Sequence, residues 1–535
     1  MKKYFLLIVI FFLVLNSCTK KQDDSNTLRM NLGAEPLTLD WNLANDSNSF
    51  DIISNIMIGL TRFSTDKTGS IVSVPGCADR WEISADGLEY VFFLNKKVLW
   101  SDGKPVRAQD FVDSFRRALD PLTAAPYAEL LSIIDLDKTT ALDDFTLKIT
   151  LKNPAGYFIY LTSYGLALPI RKDVIEKYGK NWTEPENLIS NGPFKLKEWQ
   201  HEYKIVLERN ANFAFNQADQ KNLVRYLKYF MVQEQSSAFT LFLNKQFDWI
   251  DGRSIPISEL KKLNEHKKNS QYQVKSFALL RNTYIGFNTT KKPFDQALIR
   301  KAFSLSINRD LITKVRSKGD QANNTWVPPN LGQYLDYDYL KTQFKTNYGE
   351  DFTANGYHPE LARKLLAQAG FPNGKNFPEV EFLIPNRDDT KLLAETLQAI
   401  WKKELNIEVK ITAMEWKSFL TQLKDNPPEL FRLNWGADYP DPDTFAQLFV
   451  SNNQINYGHW SNPLYDSLIK TAGASNDLAL RKKLYSQAEF LLTQKEVAIA
   501  PLYIDKQVIF ARNHVQNLEF NPMDIVFLDR VNLLK

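Results

Sequence analysis

Residues 429–445 read ELFRLNWGADYPDPDTF, and this stretch decides how the rest of the chain is interpreted. Its apolar residues alternate with polar ones up to Trp435, which predicts a short, half-buried β-strand. Gly436 then removes a side chain where a ligand can approach the backbone, Asp438 follows, and two prolines prevent the strand from continuing. Bare backbone, a large aromatic ring and a lone carboxylate are suited to hold an extended peptide by its main chain and α-ammonium. Taken alone, the window equally fits a strand that runs into an acidic surface turn.

The start of the chain predicts export and lipidation. Lys2 and Lys3 precede an apolar run over residues 4–15, which is too short to cross a bilayer as a mature helix, so residues 1–17 are predicted to be a signal peptide. Residues 15–18 (LNSC) resemble a bacterial lipobox, so cleavage before Cys18 and acylation of its thiol would anchor the protein. Residues 18–27 are then a lipidated, polar tether. An ordinary signal peptide followed by a chance cysteine is the alternative.

Composition narrows the class of protein. Removal of residues 1–17 lowers the net charge from +4 to +2, so charge favours neither nucleic acid nor an anionic membrane surface as partner. After lipidation only Cys77 remains, which excludes an intrachain disulfide in the mature chain. An apolar content of 44% supplies the core instead, and the length predicts two to four domains.

The order of predicted elements favours an α/β protein. A strand is expected near residues 28–32, a helix over 51–60, a hairpin that turns at 86–87, and an amphipathic helix over 108–119. Residues beyond 190 are strand-rich. From 293 to about 500 helices and strands alternate, which predicts a largely parallel sheet, with Asp295 as the cap of the first of these helices.

Three blocks of sequence carry a resemblance to a known family. The first is residues 100–114 (WSDGKPVRAQDFVDS) with 120–127 (DPLTAAPY); the second is 292–295 (KPFD) with 299–302 and 308–310; the third joins 415–420 (EWKSFL) to 435–439 (WGADY). In this order they resemble the solute-binding proteins of bacterial peptide ABC importers, the family 5 extracellular solute-binding proteins, and most of all the oligopeptide-binding type. With the N-terminal strand and the final PLY segment, the resemblance covers nearly all of the mature chain.

The resemblance implies an α/β, two-lobed periplasmic-binding-protein fold of the class with an extra inserted domain, with the ligand cleft between hinged lobes. Lobe I would comprise residues 28–57, 187–287 and 507–535, the inserted domain 58–186, and lobe II 288–506. The protein would capture short peptides and deliver them to the permease subunits of an ABC importer. It would act as a monomer in the periplasm or at the cell surface, held to the membrane only through Cys18.

The resemblance also implies roles for single residues. Asp438 aligns with the aspartate that pairs with the peptide's α-ammonium, and the backbone of Trp435, Gly436 and Ala437 aligns with the strand that bonds the peptide main chain. Arg432 aligns with an arginine that reaches the carboxylate of peptides of some lengths. The remaining candidates line the peptide groove or flank it: Trp416, Tyr127, Tyr284, Asn45, Ser47 and Thr390.

Two positions depart from the family pattern. Thr390 stands where the oligopeptide-binding type has a histidine that assists with the carboxylate, and Asn45, beside Ser47, stands where it has a glutamate. Both lie on the expected ligand side, so peptide length, side-chain preference and even the ligand class stay open. A murein peptide, a nickel chelate or haem is the alternative ligand within the family, and a same-fold surface lipoprotein without a transport role is the alternative function.

The motifs of other chemistries are missing from the sequence. None of the five histidines stands in an HExxH motif or at paired metal-ligand spacing, and no GxSxG elbow occurs. Asp438, Asp441 and Asp443 lack the glycine and distal glutamate of an EF-hand. We therefore expect no enzyme activity, no cofactor and no resident metal.

Overall fold

The computed structural model describes residues 26–66, 71–215, 223–353 and 355–534. The predicted signal peptide and Cys18 lie outside these residues. Among the described helices, none is long and apolar enough to cross a membrane. The helices are α1 (Ser47–Ile56), α2 (Ala108–Leu119), α3 (Ala128–Leu131), α4 (Phe158–Leu161), α5 (Lys172–Tyr178), α6 (Gln235–Leu243), α7 (Ile257–Lys261), α8 (Leu263–His266), α9 (Ala297–Leu305), α10 (Arg309–Arg316), α11 (Tyr337–Tyr348), α12 (Pro359–Gln368), α13 (Asp388–Leu405), α14 (Trp416–Asp425), α15 (Asp443–Ala446), α16 (Pro463–Gly473) and α17 (Leu478–Phe490).

Most strands join one large sheet, and the others form a four-stranded sheet and short hairpins. The strands are β1 (Thr27–Asn31), β2 (Thr61–Thr65), β3 (Ile71–Pro75), β4 (Ala78–Ile83), β5 (Glu89–Leu94), β6 (Thr140–Asp143), β7 (Thr146–Thr150), β8 (Phe194–Gln200), β9 (Lys204–Arg209), β10 (Tyr226–Phe230), β11 (Trp249–Asp251), β12 (Tyr272–Phe287), β13 (Gln321–Ala322), β14 (Val380–Pro385), β15 (Val409–Met414), β16 (Leu430–Gly436), β17 (Ile499–Arg512), β18 (Val515–Gln516), β19 (Glu519–Phe520), β20 (Val526–Phe527) and β21 (Asn532–Leu533).

The large sheet has the order β15-β14-β16-β12-β17-β11-β1-β10-β9-β8, with β13 paired to β17. Only part of it is parallel: β14 runs parallel to β15 and β16, whereas β12 lies antiparallel to both β16 and β17. The expectation of a largely parallel sheet over residues 293–500 is therefore wrong beyond β15-β14-β16. The reason is that the alternation of helices ends in β17, which returns against the long strand β12 instead of extending the parallel set.

The strands β12 and β17 connect the two halves of the large sheet. The first half of β12 pairs with the end of β17, beside β11, and its second half pairs with the beginning of β17 and with β16. The register between them shifts between Ala278 and Asn282 and again between Thr283 and Tyr284, so the ladder is irregular at the junction of the halves. A bulge locally disrupts the ladder and increases the twist, so the two halves meet where their shared strands are least regular.

The segment before β8 contains a four-stranded antiparallel sheet. The strands follow the order β4-β5-β7-β6, and α2 buries one face against them through Phe111, Val112 and Phe115. The predicted helix over 108–119 and the hairpin that turns at 86–87 are thus confirmed. Residues of this segment share one apolar core with β1, α1 and the C-terminal strands.

Two local predictions are wrong at the level of helix ends. The helix expected over 51–60 spans Ser47–Ile56 instead, because the carboxylate of Asp46 accepts a hydrogen bond from the N–H of Ser49 at 3.0 Å and starts the helix earlier. Asp295 does not cap α9. Gln296 takes the cap position, without a side-chain bond to the first turn, and Asp295 instead donates its N–H to the carbonyl of Lys291.

Candidate functional site

The predicted strand of residues 429–445 is β16, and one of its edges is open over most of its length. On one side β12 pairs with all of it, from Leu430 opposite Phe287 to Gly436 opposite Arg281. On the other side β14 pairs only with Leu430 and Phe431. Among the described residues no other strand covers that side, so the end of β16 offers unpaired backbone groups to an extended ligand.

Part of the backbone just after β16 is already hydrogen-bonded to the sheet. The N–H of Ala437 donates to the carbonyl of Leu280 at 2.8 Å. Because successive N–H groups of a strand point to opposite sides, the N–H of Gly436 points to the open edge. Of the two amides, that of Gly436 is therefore the one able to bond a bound main chain.

Asp438 follows this edge and is largely enclosed. The hydroxyl of Thr444 accepts from the N–H of Asp438 at 3.1 Å and lies 3.2 Å from its Oδ2. Burial raises the pKa of the Asp438 carboxyl to about 7, although the hydroxyls of Thr444 and Tyr164 lower it. Among the described residues Asp438 forms no ion pair. It is a carboxylate without a compensating cation, the condition that a bound ammonium would relieve.

Two tyrosines from the segment before β8 stand beside Asp438. The rings of Tyr127 and Tyr164 meet edge to face, with their centroids 6.0 Å apart. Burial, and after it the charge of Asp438, raise the pKa of Tyr127 to about 12 and raise the pKa of Tyr164 well above its ordinary value. Both phenols therefore stay neutral and keep their hydroxyl protons near the carboxylate.

These groups belong to the wall of one cavity of about 530 Å³, within the 300–1,000 Å³ typical of small-ligand sites. Its wall combines the start of α1, β2, the end of β16 and residues 519–530 near the C-terminus. Six of the predicted site residues lie on it: Asn45, Ser47, Tyr127, Gly436, Ala437 and Asp438. The structure thus brings together residues that are almost 400 positions apart in the chain.

The other five predicted residues lie off this wall. Arg432 is buried within the sheet, where its guanidinium contacts Asn434 Oδ1 at 3.2 Å and Thr283 Oγ1 at 3.4 Å. Thr390 is buried in the first turn of α13. Trp435 is partly buried at the end of β16, with no hydrogen-bond partner for its indole Nε1 among the described residues.

The two remaining aromatic candidates differ sharply in exposure. Trp416 is 50% exposed at the start of α14 and stacks on Phe419 at 5.6 Å. Tyr284 is 3% exposed and packs edge to face against Trp326 at 4.8 Å and Phe449 at 5.7 Å. Residues 282–287 of β12 are buried throughout, so the apolar character of this stretch could not show whether Tyr284 faces a groove or the core, and it lies in the core.

Sequence reasoning missed several charged residues of the cavity wall. Arg253 bonds Asp51 at 2.8 Å and Asp251 at 2.6 Å, and Arg281 lies 3.5 Å from Asp524. Burial raises the pKa of Asp51 to about 6 despite its arginine partner. The partners in the pairs Arg253–Asp51 and Arg281–Asp524 come from distant elements, so no local spacing in the sequence indicates those two pairs.

Comparison with known proteins agrees with this geometry. The family model of the bacterial extracellular solute-binding proteins, family 5 Middle, matches residues 73–457. The periplasmic oligopeptide-binding protein OppA of Salmonella typhimurium is 31% identical over 533 residues, which cover 96% of this chain and 93% of that protein. The chain belongs to family 5 of the bacterial extracellular solute-binding proteins.

Solved structures of similar proteins confirm the predicted fold class. The Escherichia coli murein tripeptide-binding protein MppA superposes with a TM-score of 0.78 at 27% identity, over 95% of this chain and 98% of that one. Haemophilus influenzae OppA, solved in complex with the peptide RPPGFSPFR, superposes with a TM-score of 0.76 at 27% identity, over 96% of this chain and 100% of that one. This family 5 protein therefore has the α/β, two-lobed periplasmic-binding fold.

Proposed function

We propose that this family 5 protein captures short peptides in the cavity beside β16 and delivers them to an ABC importer. The observation that carries the proposal is Asp438, an enclosed carboxylate at the end of an open strand edge that has no cationic partner among the described residues. A peptide's α-ammonium supplies the missing charge, and its main chain bonds the edge near Gly436. Main-chain bonds do not read side chains, so such a site accepts many sequences.

The proposal also includes the boundaries of the lobes and the attachment of the protein to a membrane. Lobe I comprises residues 28–57, 187–287 and 507–535, the inserted domain 58–186, and lobe II 288–506, with β12 and β17 as the strands that join the lobes. Asn45, Ser47 and Tyr127 contact the ligand beside Asp438. Acylated Cys18 holds the protein to a membrane, in the periplasm or at the cell surface, and the importer's ATPase supplies the energy for transport.

The other predicted site residues have a supporting role in this proposal. Arg432 reaches the ligand carboxylate only when the lobes are arranged for longer peptides, because it lies off the cavity wall here. Trp416, Trp435 and Thr390 flank the groove rather than the α-ammonium position. Tyr284 supports β16 from the core and does not touch the ligand.

Native mass spectrometry of the protein as purified tests the proposal. A ladder of adducts with peptide masses, exchanged by an added pool of tripeptides to pentapeptides, is the expected result. The matched control is Asp438→Asn, which should carry fewer adducts at the same protein concentration. A bare protein that ignores the peptide pool would refute peptide capture and favour the alternative of a non-transport lipoprotein.

A further inference from the structure

The cavity has a second unbalanced charge, which is positive. Arg62 on β2 and Arg530 near the C-terminus both line the wall, together with Asp529. Among the described residues, the closest approach of Arg62 to an acid is 4.0 Å, from its Nη1 to Asp529 Oδ2. The backbone carbonyl of Asp529 also accepts a hydrogen bond from Arg209 at 3.1 Å. This part of the wall therefore holds two cationic side chains, Arg62 and Arg530, beside the carboxylate of Asp529.

Aromatic rings hold the guanidinium of Arg62 in place, but not all of its hydrogen-bond donors have an acceptor within the described part of the chain. It lies over the ring of Phe215, 4.8 Å from the centroid, and 6.0 Å from that of Phe213. Its Nε is buried and has no hydrogen-bond partner among the described residues. Burial lowers the pKa of Arg62, and the neighbouring charge of Arg530 lowers it further, while Asp529 raises it. A second anion at this position would offset the cost of burying the charge.

Two other arginines of the wall have closer acidic partners than Arg62. Arg253 has two carboxylate partners within 2.8 Å. Arg281 has Asp524, whose other oxygen accepts a hydrogen bond from Gln507 at 2.9 Å. The buried Nε of Arg62, in contrast, has no acceptor among the described residues.

We propose that Arg62, assisted by Arg530, binds a carboxylate of the same ligand whose ammonium pairs with Asp438. This inference rests on the proposed peptide capture and adds a second recognition point to it. The one cavity then carries an uncompensated negative charge and an uncompensated positive charge, which suits a zwitterion. The carboxylate comes either from the C-terminus of a short peptide or from an acidic side chain.

Isothermal titration of paired peptides tests the assignment and separates the two sources. Alanine peptides of three, four and five residues are compared with their C-terminal amides, and amidated peptides with glutamate at each position are compared with glutamine at the same position. If the C-terminus is the source, the free acid of one length binds about 10- to 100-fold more tightly than its amide. If a side chain is the source, that preference appears instead for glutamate at one position.

Substitutions test whether Arg62 causes the preference for a ligand carboxylate. Arg62→Gln should remove the preference for the carboxylate and leave the affinity for the amide or glutamine peptide unchanged. Arg530→Gln should reduce it by a smaller factor, and Arg80→Gln, on the exposed strand β4, is the matched control that should preserve it. If Arg62→Gln does not fold, the Arg530→Gln result and the acid–amide comparison on the unaltered protein still decide whether this end of the cavity binds a carboxylate.

The outcomes distinguish this inference from the proposed function. Equal binding of acids and amides, and of glutamate and glutamine peptides, overturns the role of Arg62 while peptide capture stands. A carboxylate preference that survives in Arg62→Gln also overturns it. Absence of binding by every peptide overturns both proposals.

Discussion

Replacement of Asp438 by asparagine separates a charged ammonium site from a merely polar turn. The substitution keeps the size of the side chain and removes its charge. In the ligand-free protein it removes a carboxyl whose pKa burial raises from 3.8 to about 7. A raised pKa means that the folded state holds the proton more tightly than the unfolded chain, so this carboxyl destabilises the folded state progressively as the pH rises from about 4 to about 7, and the full penalty persists above pH 7. Asp438→Asn should therefore raise the melting temperature of the ligand-free protein at pH 8.

The same shift sets the pH dependence of peptide affinity. Binding requires ionised Asp438 and a protonated peptide amine, whose ordinary pKa is about 7.7–8.0. The product of the two fractions is largest near pH 7.5, and at pH 5.5 it is lower by a factor of about 15, because only about 3% of the carboxyl is then ionised. Loss of the carboxylate should cost on the order of 2–5 kcal/mol of binding free energy at pH 7.5, as for one partner of a desolvated pair.

Isothermal titration of a tripeptide from pH 5.5 to 9 measures these effects. The unaltered protein should give a bell-shaped affinity profile, whereas Asp438→Asn should bind weakly with a flat acid limb. An N-acetylated peptide is the matched ligand control and should bind weakly to both. An affinity of the unaltered protein that is constant from pH 5.5 to 7.5, or equal binding of acetylated and free peptides, would refute the ammonium role.

Three further substitutions test the core and the anchor. Tyr284→Ala should lower the free energy of unfolding by about 3–5 kcal/mol in chemical denaturation, because it empties a packed core site; unchanged stability with lost peptide affinity would contradict its placement. Arg481→Met leaves Asp441 buried without its partner at 2.6 Å and should cost about 3–5 kcal/mol in the same assay, so a neutral effect would show that the pair is dispensable. Cys18→Ser should move the protein expressed in cells from the detergent phase to the aqueous phase of a Triton X-114 separation, and its retention in detergent would rule out the predicted lipid anchor.

Local sequence predicted β16 and its turn because their determinants are local. Alternating apolar residues and the prolines after Asp438 specify a strand that must stop, and the strand indeed ends at Gly436. The resemblance then identified the family, which the comparisons confirm. The roles of single residues in binding are predictions.

Other parts of the site depend on contacts that leave no local pattern. Arg62 and Asp529 approach each other only after the chain has passed through both halves of the large sheet, and neither stands in a motif. For Tyr284, both faces of β12 are covered, so the apolar character of residues 284–287 could not separate a groove aromatic from a core aromatic. The parallel sheet was over-predicted for a related reason: alternation of elements does not reveal that β17 pairs back against β12.

The enclosure of Asp438 depends on contacts that join the segment before β8 to the opposite half of the molecule. Tyr157 stacks on Tyr439 at 5.0 Å, and the N–H of Gly156 donates to the carbonyl of Gly473 at 3.1 Å. If the lobes separate, water reaches Asp438 and its pKa returns toward the ordinary range, so the closed arrangement without ligand binds the proton more tightly than the open one. By linkage, closure without ligand becomes less favourable as the pH rises from about 4 to about 7. Under the proposed function, a ligand amine would both pair with Asp438 and remove this electrostatic penalty, which would couple recognition of the peptide's N-terminus to the closed state.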